Sequence, residues 1–357
     1  MLRPDDPVVL LQHQGLTNLR GKTGLAMLRY RSGPIVAVID PDRAGHTLRD
    51  VTGIPRDVPV VGSMPEALIH GPSVAVVGLA PSGGRLPEDL RGDLLEGLRA
   101  GLSVASGLHT RIGEDEELMS QLRPGRWVWD LRQEPPDLVV GSGLAAGLAC
   151  RRVLTVGSDM SVGKMSTCLE LQAAAKRRGV DARFVGTGQA GILISGEGVP
   201  LDAVRVDYAA GAIEKAVLRA GAQAGPEAIV LVEGQGSVCH PGSSATLPLI
   251  RGCQPTDLLL VHRAGQSSLC HLPHFPLPPL SHLISVLESM AALARPMGTP
   301  VPPPRVVALA LNTSGLRDDV AAAAMEEAAS ETGLPCVDPV RRGADELLDL
   351  LTAGSRI

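Results

Sequence analysis

The sequence predicts an α/β protein of two domains: an N-terminal Rossmann-like parallel-sheet domain over residues 1–145 and a C-terminal P-loop NTPase-like α/β domain over residues 146–357. Three observations predict it. Short β-branched runs alternate with amphipathic stretches along most of the chain, the pattern of parallel strands covered on both faces by helices. A glycine-rich turn ending in Gly163-Lys164 stands between one such run and a helical stretch. A length of 357 residues with 44% hydrophobic content is also enough for two cores, because domains commonly hold roughly 100 to 200 residues.

In the first half, VVLL from Val8 reads as a strand, followed by a helix near 23–30 and the strand IVAVI, which ends at Asp40. SVAVVGLA from Ser73, a helix near 88–100 and SVASGLH from Ser103 continue the alternation. Ligands of open parallel sheets sit beyond the carboxyl ends of the strands, which directs attention to Gln12 through Lys22, Asp40, the segment from Gly78 and Ser106 through His109. Gly83, Gly84 and Arg85 suit a backbone nest with a guanidinium beside it, a receptor for a substrate carboxylate or phosphate; an ordinary tight turn is the competing reading. Asp40 stands where dinucleotide enzymes hold a ribose, but QHQGLTNLRGKTG lacks the GxGxxG spacing, which argues against NAD.

The boundary falls between Pro135 and Arg151, where EPPD and a Gly-Ala-rich passage precede a new strand. Strands VLTV, ARFVGTG, AIVLVEG, DLLLVH and VVALALN follow, separated by helical stretches near 166–178 and 207–220. A helix near 280–293 is flanked by two proline-rich surface loops, one over 273–279 and PVPPP from Pro300.

The run RRVLTVGSDMSVGKMS, Arg151 to Ser166, reads as a Walker A-like phosphate-binding loop. Glycines let backbone N–H groups turn toward anionic oxygens, the helix supplies the positive end of its dipole, and lysine adds a full charge. Gly157, Ser158, Asp159, Met160, Ser161, Val162, Gly163, Lys164, Met165 and Ser166 are therefore the expected cofactor-binding residues. The strict pattern has Ser or Thr after the lysine to hold Mg²⁺, whereas Met165 occupies that place and Ser166 follows one position later. A helix turns about 100° per residue, so the shifted hydroxyl is re-aimed.

Polar groups at the ends of the C-terminal strands complete the expected site. Glu233 directly follows AIVLV and is a candidate Mg²⁺ ligand or proton acceptor, with Ser166 and Asp159 as further metal candidates; for Asp159 a loop-structuring role competes. Gln189 and His240 are candidates for polarising a reacting group, Asp207 for a substrate amine or a helix cap, and Asn312 for reading a nucleobase. Glu214, two helical turns beyond Asp207, reads as part of a solvated face.

Composition narrows the partners. Net charge of −5, a pI near 6.0 and the absence of a basic run exclude nucleic acid and anionic membrane surfaces as expected partners, and 2% aromatic content offers few stacking platforms. The six cysteines contain no CxxC pair, which fits free thiols in a reducing cytosol; Cys270, His271 and His274 are a weak zinc pattern in a proline-interrupted segment. Arg3, Asp5 and Asp6 at the N-terminus do not form a secretory signal, so a soluble cytoplasmic protein is expected. Lysine occurs only at Lys22, Lys164, Lys176 and Lys215, and the first two follow glycine.

The elements GSDMSVGK and VEGQGS resemble those of dethiobiotin synthetase and the cobyric acid synthase group, which activate carboxylates with ATP, although Met165 departs from them. A closer resemblance spans nearly the whole chain. KTGLAMLRYR, VAVIDPDRAG, GLAPSGGRLP, SGLH, VWDLR, TVGSDMSVGKMST, GTGQAGI, VEGQGS, HP, QPTD and LNT, in that order, resemble the two-domain family, long called a domain of unknown function, that includes the D-glutamate N-acetyltransferases. That resemblance makes the methionine after the loop lysine a family trait. It implies acyl transfer from acetyl-CoA to the amino group of D-glutamate, as in the characterised branch; the expectation for this chain is a cytoplasmic group-transfer enzyme acting on an amino-acid-like small molecule, with the loop holding acetyl-CoA or ATP and Mg²⁺ as an optional companion. An ATP- and Mg²⁺-dependent ligase or kinase is the alternative, and a nucleotide-binding regulatory protein a third. A symmetric homo-oligomer is the default expectation.

Overall fold

In the computed structural model, which describes residues 2–298 and 302–353, the apolar runs of the first half become strands β1 (Val8–Leu11), β2 (Ile35–Ile39), β3 (Val60–Val61), β4 (Val74–Val77), β5 (Ser103–Ser106) and β6 (Val128–Asp130). All neighbours pair in parallel in the order β3-β2-β1-β4-β5-β6, the doubly wound Rossmann order. Side chains alternate across the sheet. Val8, Leu10, Val38, Val74 and Val76 face one core with Met27 and Leu28, while Val9, Leu11, Ala37, Ile39, Ala75 and Val77 face another with Leu90, Leu94 and Leu98.

Helices α1 (Lys22–Tyr30), α2 (Leu48–Thr52), α3 (Met64–Leu68), α4 (Glu88–Ala100) and α5 (Glu116–Ser120) link these strands. The longest, α4, shows why. Glu88 and Asp89 complement the helix dipole in its first turn, Leu90, Leu94 and Leu98 recur on one buried stripe, and Gly101 ends it in the left-handed region at φ 92°.

The second sheet contains β7 (Arg151–Gly157), β8 (Ala182–Val185), β9 (Ile229–Val232), β10 (Asp257–Arg263), β13 (Arg305–Asn312) and β14 (Cys336–Val337), all parallel in the order β14-β13-β10-β7-β9-β8. The intervening β11 (Ser268–Leu269) and β12 (Leu272–Pro276) form an antiparallel pair. The first proline-rich stretch is therefore corrected from loop to hairpin, with Pro276 at its strand end. In the second stretch, Pro300 and Val301 lie outside the described residues. Helices α6 (Lys164–Arg177), α7 (Gln189–Ser195), α8 (Val206–Gly221), α9 (Thr246–Cys253), α10 (Leu280–Leu293), α11 (Asp318–Thr332), α12 (Pro339–Arg342) and α13 (Asp345–Ala353) complete the alternation.

Two compact units result, one built from residues up to Gln133 plus Gln189–Ala203, the other from Glu134–Gly188 plus residues from Val204 onward. The excursion carrying α7 belongs to the first unit because Ile192 and Leu193 are buried in the same core as Met27 and Leu28. No described helix is long and apolar enough to cross a membrane.

Glu214 corrects another expectation. It lies in α8 but is 4% exposed, and its carboxylate accepts from Ser142 N–H at 3.1 Å, Ser142 O–H at 2.7 Å, Gly143 N–H at 2.5 Å and Leu144 N–H at 3.1 Å. A buried carboxylate with this many donors ties the segment before β7 to the helix. Glu214→Ala should strand those donors and lower unfolding stability by about 2–4 kcal/mol, measured by urea denaturation, with Glu214→Gln recovering part of the loss; an unchanged midpoint would contradict this role.

Candidate functional site

β7 is buried along nearly its whole length and ends at Gly157, at the carboxyl edge of the second sheet. From there the chain loops through Ser158 to Gly163 and enters α6 at Lys164. Ser161 at φ 55° and Gly163 at φ 122° supply the left-handed turns that curl the loop. Gly163 caps α6 without any side-chain bond, and among the described residues the N–H groups of Ser161 through Ser166 donate to no protein acceptor. An uncapped helix start with several free amides is an anion receptor.

Lys164 opens the helix at this receptor. It is 6% exposed, and its Nζ donates to the carbonyl of Asp159 at 2.8 Å. Glycine at two positions makes the room: a Cβ on Gly157 would lie 2.7 Å from Lys164 Nζ, and one on Gly234 would lie 2.9 Å from its Cδ and 1.7 Å from the Thr155 carbonyl. Burial lowers the Lys164 pKa to about 8, against the opposing pull of the Asp159 and Glu233 charges.

Glu233, just past β9, is 4% exposed. Its Oε2 accepts from the N–H groups of Thr187 and Gly188 at 2.8 and 3.2 Å, and Oε1 from Gln235 Nε2 at 3.0 Å. Burial still raises its pKa to about 7, with those amides and the Lys164 charge acting in the opposite direction. The second unit thus holds an ammonium and a carboxyl group that both titrate close to neutral pH.

The rest of the loop is tied by its side chains. Asp159 is fully buried; Oδ1 accepts from Met160 N–H at 2.6 Å, and Oδ2 from Gln266 Nε2 at 2.6 Å and Cys270 N–H at 2.7 Å. These bonds tie Asp159 to the loop and to the segment after β10. Ser158 Oγ pairs with His262 Nδ1 at 2.8 Å, and its carbonyl accepts from Ser237 O–H at 2.8 Å. Thr167 O–H returns to the Gly163 carbonyl at 3.1 Å, while Met165 and Ser166 are half-buried in the first turn. Asn312 donates from Nδ2 to the Val162 carbonyl at 2.9 Å, and its Oδ1 accepts from Ser314 N–H at 3.0 Å. One N–H and one oxygen lone pair of its amide are thus engaged at the loop, and one of each remains.

Both oxygens of Asp159 and both of Glu233 already accept N–H donors, and among the described residues no three His, Cys, Asp or Glu side chains gather around a metal position.

His240 is half-buried beyond β9; its Nδ1 accepts from Gly242 N–H at 3.0 Å, so Nε2 carries the proton of the neutral ring. Asp207 is exposed in the first turn of α8 and bonds to none of the loop residues. Gln189 belongs to the first unit, as do Gly83, Gly84 and Arg85. Gly83 and Gly84 both have positive φ, 75° and 61°, and the Gly84 carbonyl accepts from His109 N–H at 2.8 Å and Thr110 N–H at 3.2 Å; Arg85 is exposed.

Around Gln189, sequence reasoning missed a cluster. Its Oε1 accepts from Arg132 Nη2 at 2.7 Å, Arg132 Nη1 also meets His109 Nε2 and lies 3.2 Å from Asp202, and burial together with the Arg132 charge lowers the pKa of Lys22. These residues come from widely separated segments, so no local spacing announces them. The one available signal was Lys22 and His109 each following a strand end.

Comparison with known proteins places these features. Residues 139–348 match DUF1611_C, a domain of unknown function described as a P-loop domain, and residues 41–134 match DUF1611_N, described as a Rossmann-like domain. A relative from Tritonibacter scottomollicae named D-glutamate N-acetyltransferase is 35% identical over 293 residues, 82% of this chain and 84% of its own. A protein of the same name from a Pseudoalteromonas species is 33% identical over 292 residues, 80% of this chain and 83% of its own. The crystal structure of a DUF1611 family protein from Anabaena variabilis ATCC 29413 matches with a TM-score of 0.91 and 51% identity, covering 98% of this chain and 100% of that one.

The cradle predicts a pH dependence. An anion binds the ammonium form of Lys164, so affinity for a diphosphate such as ADP, measured by calorimetry, should fall about tenfold per unit above a pH of about 8. Lys164→Ala should bind at least about a hundredfold more weakly and lose that pH step. A wild-type affinity that stays flat through pH 10 would remove Lys164 from the binding site.

Proposed function

The chain belongs to the DUF1611 family, and on that footing we propose that it transfers the acetyl group of acetyl-CoA to the amino group of D-glutamate. The observation that carries this reading is the phosphate cradle: free amides from Ser161 to Ser166 around a buried lysine, in a chain whose two curated relatives bear an acetyltransferase name. Acetyl-CoA contains a diphosphate ester that such amides and an ammonium recognise, and when bound it supplies an activated acyl carbon. The amides and the Lys164 ammonium both attract the phosphate charge.

In this reading Lys164 exchanges the Asp159 carbonyl for a phosphate oxygen. A new C–N bond forms as the C–S bond breaks, the amine loses one proton, and the departing thiolate gains one. Glu233, with a pKa near neutral, is the group assigned to accept the amine's proton. Its two amide donors and Gln235 fix the carboxylate in place, so that the proton transfer has a defined geometry. His240, whose Nε2–H remains a donor, is assigned to polarise the acyl oxygen, and electrostatic positioning contributes most of the rate.

Incubation with acetyl-CoA and D-glutamate, without ATP, should release one free thiol per N-acetyl-D-glutamate formed, followed with a thiol reagent and chiral chromatography. ADP or phosphate release required for product would instead establish the carboxylate-activating reaction. Glu233→Gln should lower kcat about a hundredfold with KM for acetyl-CoA little changed, and abolish the acid limb near pH 7 in the kcat profile. Retention of that limb in the variant would exclude Glu233 as the proton acceptor.

A further inference from the structure

The cluster around Arg132 has a one-sided chemistry. Arg132 donates to Gln189 Oε1 and to His109 Nε2, and lies beside Asp202. A guanidinium only donates, so His109 must accept through Nε2 and carry its proton on Nδ1. Gln189 has spent its carbonyl oxygen and keeps its N–H₂ group. Among the described residues, Arg132 Nε is buried without a partner. Lys22, exposed at the start of α1, adds an ammonium close enough to Arg132 to feel its charge. Apart from Asp202 and the second lone pair of Gln189 Oε1, every hydrogen-bonding capacity left over in this group is therefore a donor.

Charge points the same way. Lys22 and Arg132 are near enough to interact unfavourably, and their nearest counter-charge, Asp202, has a side chain 48% exposed against 13% for Arg132. Two neighbouring cations, one of them largely withdrawn from water, are stabilised by an incoming anion. The location also fits. His109 follows β5, Arg132 follows β6, and Lys22 opens α1 after β1, whose cap Gly21 offers no side-chain bond. These are carboxyl ends of parallel strands, where open sheets take ligands.

We propose that Lys22 and Arg132 form a carboxylate subsite in the first unit that binds the amino-acid substrate as a dicarboxylate, with Gln189 and His109 as accessory donors and Asp202 as the counter-ion displaced. The assignment of the dicarboxylate as substrate rests on the acetyltransferase reading; the anion site itself does not. Gln189 is then a binding residue that also holds Arg132 in position.

The test is calorimetry of the full-length protein with glutarate, D-glutamate and D-glutamine as probes, on wild type, Arg132→Gln and Lys22→Met, each checked for folding by circular dichroism. Wild type should bind glutarate and D-glutamate, D-glutamine should bind at least about tenfold more weakly than D-glutamate, and each variant should lose at least about thirtyfold in glutarate affinity. The variants should also raise KM for D-glutamate while leaving KM for acetyl-CoA unchanged. If Arg132→Gln fails to fold, Lys22→Met carries the comparison. Folded variants that bind glutarate as wild type does, or a wild type that binds no dicarboxylate, would overturn the subsite. Glutarate binding that depends on both cations in a protein unable to acetylate D-glutamate would support the subsite and overturn the acetyltransfer reaction instead.

Discussion

A lysine ammonium buried to 6% exposure and bonded to a backbone carbonyl is the constraint on which the second unit turns. Removing an ammonium from water costs several kcal/mol unless compensating partners are supplied. Here the compensation is a carbonyl, the more distant charges of Asp159 and Glu233, and a receptor for a further anion made by the amides opening α6. The glycines at 157 and 234 exist in this account to leave the lysine stem its channel. The same burial that lowers the lysine pKa raises that of Glu233, so two opposite groups are brought toward neutrality by one cause.

Around that core the polar side chains of the strand ends mostly act on the loop. Asp159 fastens it to the turn after β10, Asn312 holds the Val162 carbonyl, and Ser158 is locked between His262 and Ser237. A cradle of backbone amides is useful only if its curvature is fixed before the ligand arrives, since reorganisation would otherwise subtract from binding. Asp159, Asn312 and Ser158 each contribute to fixing that curvature.

The strands, the phosphate loop and the long helices were legible because they are local: a β-branched run, a Gly-Lys turn and a leucine stripe carry their meaning within a dozen residues. β3 and β14, two residues each, are too short for any periodicity, and the hairpin strand β12 is masked by its prolines. Glu214 misled for a different reason. Helical spacing identifies a face, but whether that face meets water depends on a segment some seventy residues earlier, at Ser142 to Leu144. The Lys22, His109, Arg132, Gln189 and Asp202 cluster was invisible on the same ground, because its members meet only through folding and through the return of α7 to the first unit. Asn312 was recognised as a strand-end amide, while its partner, a carbonyl 150 positions away, was beyond any sequence pattern.

A crystal structure with bound CoA tests the central claim most directly. The diphosphate should lie within hydrogen-bonding distance of the amides between Ser161 and Ser166, with Lys164 Nζ transferred from the Asp159 carbonyl to a phosphate oxygen. Diphosphate density elsewhere in the protein, with Lys164 still bonded to that carbonyl, would contradict it.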